Sequence, residues 1–304
     1  MGINKSVLVT GGTGFIGRHL INQLVRENWD VHALVRKRRT LNSFSGEMLQ
    51  LTQHVYDGTL ENVRSIVEGS NPRVILHLAA LSIRDHELKD LDPMISANLL
   101  LGVQLLETIK YLKAPIFINT GSYWQYDETG AYCPVNLYAA TKQAFVDILQ
   151  CYTGLYDIRS LTLVLFDVYG PHDDRNKLFN LLKLSHETNH EPVMTPGAQL
   201  IDLVYVDDVV AAYLRAVDFL QNNTTQSNSN IFAVSSGKPI PLKKAVQIYE
   251  KALGHSLNIK WGGRPYHSRE VMTPWKGPRI PGWRSKVDLA AGIKLLLTSE
   301  LERR

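Results

Sequence analysis

The sequence has 304 residues, 44% hydrophobic and 20% charged, with a formal net charge of +4. That is ordinary for a soluble globular chain with one large domain or two small ones. The only dense basic cluster, Arg36-Lys37-Arg38-Arg39, suits one phosphate group and is too short for the basic stripe of a nucleic-acid binder. Cys133 and Cys151 have neither disulfide-framework nor metal-ligand spacing, which predicts free thiols in a reducing compartment and no metal. No apolar run approaches the roughly 20 residues of a membrane span, and the opening residues lack a signal-peptide layout. A cytoplasmic chain with no membrane or nucleic-acid partner is expected.

In chain order, Ser6–Thr10 is a short apolar run ending in glycines, the pattern of a buried parallel strand. Phe15 to Glu27 has helical spacing of Ile16, Leu20, Leu24 and Val25, and Val31–Val35 reads as a second strand. Strand, glycine-rich turn, helix and strand within about 30 residues make a βαβ crossover. Further strands are predicted at Arg73–Leu78, Pro115–Thr120 and Leu161–Phe166, with helices over roughly 97–112 and 138–153. This alternation predicts a doubly wound α/β fold of Rossmann type. After Gly170-Pro171 the rhythm changes. Residues 171–200 read as loop and helix, Leu203–Val206 as strand, Asp207–Leu220 as helix and Asn222–Asn230 as an exposed loop. Ile231–Val234 could be a strand and 242–254 a helix, while 261–284 is expected to be irregular and to line a pocket. The expected division is a dinucleotide-binding domain (1–170 plus about 201–237) and a smaller, discontinuous C-terminal α/β substrate-binding region (about 171–200 plus 238–304).

Three motifs carry chemistry. Gly11, Gly14 and Gly17, at a strand-to-helix junction with Phe15 and Ile16, fit a tight turn that brings backbone and a helix N-terminus against a pyrophosphate. At the end of the second strand an NAD site places an acid for the ribose hydroxyls; here Arg36 and Lys37 stand instead, with no acid before Glu47. Cations there favour the additional phosphate of NADP. Tyr138 and Lys142 lie four apart on a predicted helix and share a face. A nearby cation favours phenolate, which predicts a tyrosine pKa moved down from about 10, suited to acid/base work.

With these motifs in place, nearly the whole chain resembles the extended short-chain dehydrogenase/reductase superfamily. The resemblance implies that Asp57 and Gly58 sit beside the adenine, and that Leu78, Ala79 and Ala80 pass under the cofactor. Asn98 resembles the superfamily's structural Asn and joins the cofactor set. Phe166 and Val168 would reach the nicotinamide, whereas Val206-Asp207-Asp208-Val209 resembles a structural motif. The third catalytic residue would be Ser122, with Thr120 as the alternative. In the implied mechanism Ser122 binds a substrate carbonyl oxygen, Tyr138 protonates it, and Lys142 holds the nicotinamide ribose. A homodimer through the helices near 97–112 and 138–153 is also implied.

The neighbouring residues narrow the reaction. Sugar dehydratases follow their hydroxyl residue with Asp-Glu; Tyr123 and Trp124 occupy those places and cannot eliminate water. Asn119–Gln125, Pro134–Lys142 and Lys177–Leu182 resemble the group including CDP-abequose and CDP-paratose synthases. That resemblance implies NADPH-dependent reduction of the 4-keto group of a nucleotide-linked, CDP-linked deoxy sugar in bacterial surface-polysaccharide synthesis. Substrate contacts would come from Ser122, Tyr123, Trp124, Asp167, Leu178 and Phe179, with Arg264 on the diphosphate. Many relatives carry Arg before the aspartate matching Asp202; Ile201 stands there, leaving base and sugar open. A nucleotide-sugar epimerase retaining its NAD(P), and a non-catalytic NADP-sensing regulator, are the alternatives.

Overall fold

The computed structural model describes residues 5–38, 51–223 and 230–301; Arg39, Glu47 and most of the Asn222–Asn230 loop lie outside them. Six strands, β1 (Ser6–Thr10), β2 (Asp30–Val35), β3 (Leu51–Val55), β4 (Val74–His77), β5 (Ile116–Ser122) and β6 (Arg159–Leu165), join Ile231–Val234 in one sheet. Its order is Ile231–Val234, β6, β5, β4, β1, β2, β3, and every pairing is parallel. The order reverses between β1 and β4, so the crevice outside their carboxyl ends is where such sheets bind ligands.

Strand alternation divides the core. Val7 and Val9 of β1 face one side, with α1 (Phe15–Arg26) and the helix Val206–Asn222. Leu8 faces the other, with α2 (Leu60–Ser70) and the helices Leu101–Ile109 and Leu137–Leu155. Both faces are covered, as a parallel sheet requires. A separate cluster around Phe179, Tyr249 and Ile293 unites the helices Leu178–Thr188, Leu242–Leu253 and Leu289–Leu301.

Local chemistry sets several boundaries. The Thr59 side chain accepts from Asn62 N–H at 3.1 Å to start α2, and Asn71 ends it in the left-handed conformation. Asn136 caps Leu137–Leu155 by accepting from Ala139 N–H at 3.0 Å. The helix expected over 97–112 instead begins at Leu91 and ends at Ile109, passing through a π turn at Ser96–Leu100. β3, α2 and the helix Leu289–Leu301 are elements the sequence reading did not include. Segment 261–284 is irregular apart from Trp261, which pairs beside Met194.

Candidate active site

The glycine turn follows β1 and presses against the end of β4. Gly11 has φ +70°, and a Cβ there would lie 2.7 Å from Ala79 N; a Cβ on Gly17 would lie 2.2 Å from Gly11 O. Only glycine permits this approach. Gly14 stands at the cap of α1 without a side-chain hydrogen bond, leaving first-turn N–H groups and the positive end of the helix dipole to serve an anion. Thr10 Oγ1 accepts from Ala79 N–H at 3.1 Å and lies 2.9 Å from His77 Nδ1, fixing Leu78 to Ala80 beside the turn. Arg36 and Lys37 follow β2 and are exposed, with no hydrogen bond or ion pair among the described residues. Asp57 is exposed, and hydrogen bonds from the Thr59 hydroxyl and N–H hold its carboxyl below its ordinary pKa.

Tyr138 and Lys142 lie one turn apart on the helix Leu137–Leu155. The expected pKa is corrected: burial raises the Tyr138 phenol above its ordinary value, opposed by hydrogen bonding with Ser82 and Ser122 and by the Arg175 charge. Lys142 is 1% exposed, and among the described residues no hydrogen bond or ion pair reaches its ammonium. Burial lowers its pKa to about 8. A buried cation without a counterion is costly and points to a ligand that completes it. The glycine cradle, the helix N-terminus and Lys142 would suit the phosphates and a ribose of a dinucleotide.

Ser122 ends β5 and forms a capping box with Gln125, which places it beside Tyr138. The Thr120 hydroxyl donates to His77 O at 2.8 Å and lies 2.6 Å from the Tyr213 hydroxyl, so it is bound within the fold. Of Ser122 and Thr120, Ser122 is the one that meets the phenol, together with Ser82. Asn98 is 1% exposed; its amide bonds Leu81 N, Leu81 O and Thr141 Oγ1. It therefore fastens the loop after β4 to the helix carrying Lys142.

An aromatic and charged wall stands next to these groups. Trp124 meets Tyr138 edge-on at 6.2 Å, with Arg84 and Lys177 over its ring at 5.3 and 5.6 Å. Tyr123 stacks on Phe166 at 5.1 Å and donates to Asp167 Oδ2 at 3.0 Å. Burial raises the Asp167 carboxyl pKa, against the nearby Lys177. Arg84 also pairs with Glu270 at 2.7 Å, joining the loop after β4 to the irregular segment.

Beyond this wall lies a cleft lined by Asp167, Val168, Arg175, Leu178, Phe179 and Ile201, among others. Leu178 faces it half-buried, whereas the buried Phe179 ring is packed on Tyr169 and Tyr249 and forms its floor. Arg264 is exposed and is not part of this lining. Asp208, in the motif read as structural, accepts from Ser285 Oγ, Lys286 N and Val287 N, pinning the C-terminal loop. Both cysteines are free, and no helix among the described residues is long and apolar enough to cross a membrane.

Sequence reasoning missed Ser82, Arg84 and Arg175. Arg175 is bidentate to Asp173, donates to Val168 O and lies 4.5 Å over the Phe15 ring, linking the cleft to the glycine turn. These residues lie in loops without periodicity, so only their shared surroundings identify them.

Such a sheet, with a glycine turn at its switch point and a Tyr/Lys pair on the next face, defines a dinucleotide-dependent enzyme of short-chain dehydrogenase/reductase type. Residues 7–231 match the NAD dependent epimerase/dehydratase family, and the chain belongs to it. CDP-abequose synthase of Salmonella muenchen is 28% identical over 304 aligned positions, covering 97% of this chain and 98% of that protein. UDP-glucuronate 4-epimerase 6 of Arabidopsis thaliana is 26% identical, covering 95% of this chain and 70% of that protein. The UDP-glucuronic acid 4-epimerase of Bacillus cereus, solved with UDP-glucuronic acid and NAD, is 21% identical. It superposes with a TM-score of 0.82 over 98% of this chain and 99% of that one, a likeness of fold.

Proposed function

We propose that this enzyme reduces the 4-keto group of a nucleotide-linked, CDP-linked 4-keto-deoxy sugar with NADPH, in bacterial surface-polysaccharide synthesis in the cytoplasm. The observation that carries the reading is the environment of Tyr138: a phenol in hydrogen-bond reach of Ser82 and Ser122, with the aromatic Trp124 alongside it. A raised pKa keeps the proton on Tyr138 at neutral pH, as a proton donor requires. Ser122 orients the carbonyl oxygen, Tyr138 gives that oxygen its proton, and the Lys142 charge holds the cofactor ribose. The nicotinamide, when bound, supplies the hydride to the carbonyl carbon, so ketone becomes alcohol. Arg36 and Lys37 favour NADPH through its additional phosphate. The full-length likeness to CDP-abequose synthase supports the substrate class.

Residues 1–170 plus about 201–237 would hold the cofactor and about 171–200 plus 238–304 the sugar nucleotide, with Arg264 on its diphosphate. Apolar surface at Leu100 and Leu155 supports pairing of two copies through 97–112 and 138–153; a sedimenting mass of one chain would remove that part.

The epimerase relatives favour a second reading, isomerisation with a retained dinucleotide. An NADPH-oxidation screen across CDP-, dTDP-, GDP- and UDP-linked 4-keto sugars separates the two. Stoichiometric NADPH loss with one of them is expected, with Tyr138→Phe inactive but still binding NADPH. Tightly co-purified NAD and no net oxidation would select the epimerase.

A further inference from the structure

The C-terminal loops form a second, charged concavity. Ser236, Lys238, Arg279, Arg284, Ser285 and Lys286 line an open hollow, sharing no residue with the cleft of the substrate wall. Four of its six lining residues are cationic, and none is acidic. Among the described residues, none of the four cationic side chains has a hydrogen bond or ion pair. Lone cations on a convex surface disperse into water, but four around one hollow repel one another and focus a positive field into it.

The framework beneath is held by two carboxylates whose hydrogen bonds are satisfied by backbone and hydroxyl donors. The buried Asp202 carboxylate accepts from Ser235 Oγ, Ser236 N and Gly237 N. Asp208 likewise holds Ser285, Lys286 N and Val287 N, and its carbonyl accepts from Trp283 Nε1 at 3.0 Å. Both carboxylates thus face N–H and hydroxyl donors of the two loops and do not pair with the cationic side chains. Gly237, at φ +72°, makes room for the Arg279 guanidinium: a Cβ there would lie 1.7 Å from Nη2. The loops that present the charges are therefore fixed before any ligand arrives, which lowers the cost of binding.

We infer that this hollow is an anion site for a small ligand bearing two or more phosphate groups, built from residues other than those that line the cleft. Two guanidiniums give planar, paired donors for phosphate oxygens, and two ammoniums add point charge. The test is calorimetric titration of pyrophosphate, and in parallel of inorganic phosphate, into the full chain at low salt. Pyrophosphate should bind more tightly than phosphate. Its affinity should fall about tenfold or more in Arg279→Ala/Arg284→Ala, and hold in Arg64→Ala/Lys89→Ala, which removes two exposed cations that line neither the hollow nor the cleft. All four substituted residues are exposed, and unchanged circular dichroism confirms folding. Lys238→Ala alone should give a smaller loss in the same direction. Equal affinity in wild type and the Arg279/Arg284 variant, or equal weak binding of both anions, would overturn the assignment.

Discussion

Asn98 Nδ2 donates to Thr141 Oγ1 at 2.9 Å, tying a π turn to the residue that precedes Lys142. The same amide holds both backbone groups of Leu81, one residue before Ser82. One buried side chain thus sets the spacing between two segments that meet at Tyr138. Asn98→Ala would take a partner from three polar groups: both backbone groups of half-buried Leu81 and the buried Thr141 hydroxyl. With about 1–3 kcal/mol for each unsatisfied group and partial relaxation, a loss of about 2–3 kcal/mol is expected in urea unfolding. A loss under about 0.5 kcal/mol would contradict this role.

The Lys142 ammonium is held against its own solvation energy, so stability and function should oppose each other there. Its folded pKa, about 8, lies below the ordinary lysine value near 10.5. Between those values the unfolded chain carries a proton that the folded chain lacks, so ligand-free stability rises with pH across that window. Below about pH 8 the full penalty remains, at most about 3–4 kcal/mol from 1.36 kcal/mol per unit. Lys142→Met should therefore stabilise the ligand-free chain at pH 7, flatten the rise between pH 8 and 10, and abolish turnover. Chemical unfolding at several pH values reads the first two effects. A methionine variant less stable than wild type at pH 7 would show that the lysine is satisfied in the fold.

Much of this was legible in sequence because the signals are periodic or tied to backbone geometry. The glycine triplet after Thr10 demands close backbone approach, and β1, β4, β5 and β6 are apolar runs with little else they could be. α2 is also legible in principle: Thr59 as cap and Val63, Ile66 and Val67 at helical spacing are ordinary signals. Other features had no local signature. Arg84 reaches Trp124 and Glu270 across 40 and 186 positions, and nothing near residue 84 announces either contact. The direction of the Tyr138 shift also depended on burial, which the Tyr/Lys spacing alone does not carry. Spacing places the cation, but desolvation decides the sign.

Arg36 stands one residue past Val35, exposed and unpaired among the described residues, where a ribose-binding acid would stand in an NAD site. If it receives the additional phosphate of NADPH, Arg36→Asp removes a charge-assisted bond worth about 1.5–3 kcal/mol and sets an acid against that phosphate. The dissociation constant for NADPH should rise by about 10–100-fold, while NADH binding holds or improves because the new carboxylate can accept from the ribose hydroxyls. Fluorescence titration of both nucleotides measures the ratio directly. A wild-type chain that binds NADH as tightly as NADPH, and a variant that leaves the ratio unchanged, would assign Arg36 to solvent and return the cofactor to NAD.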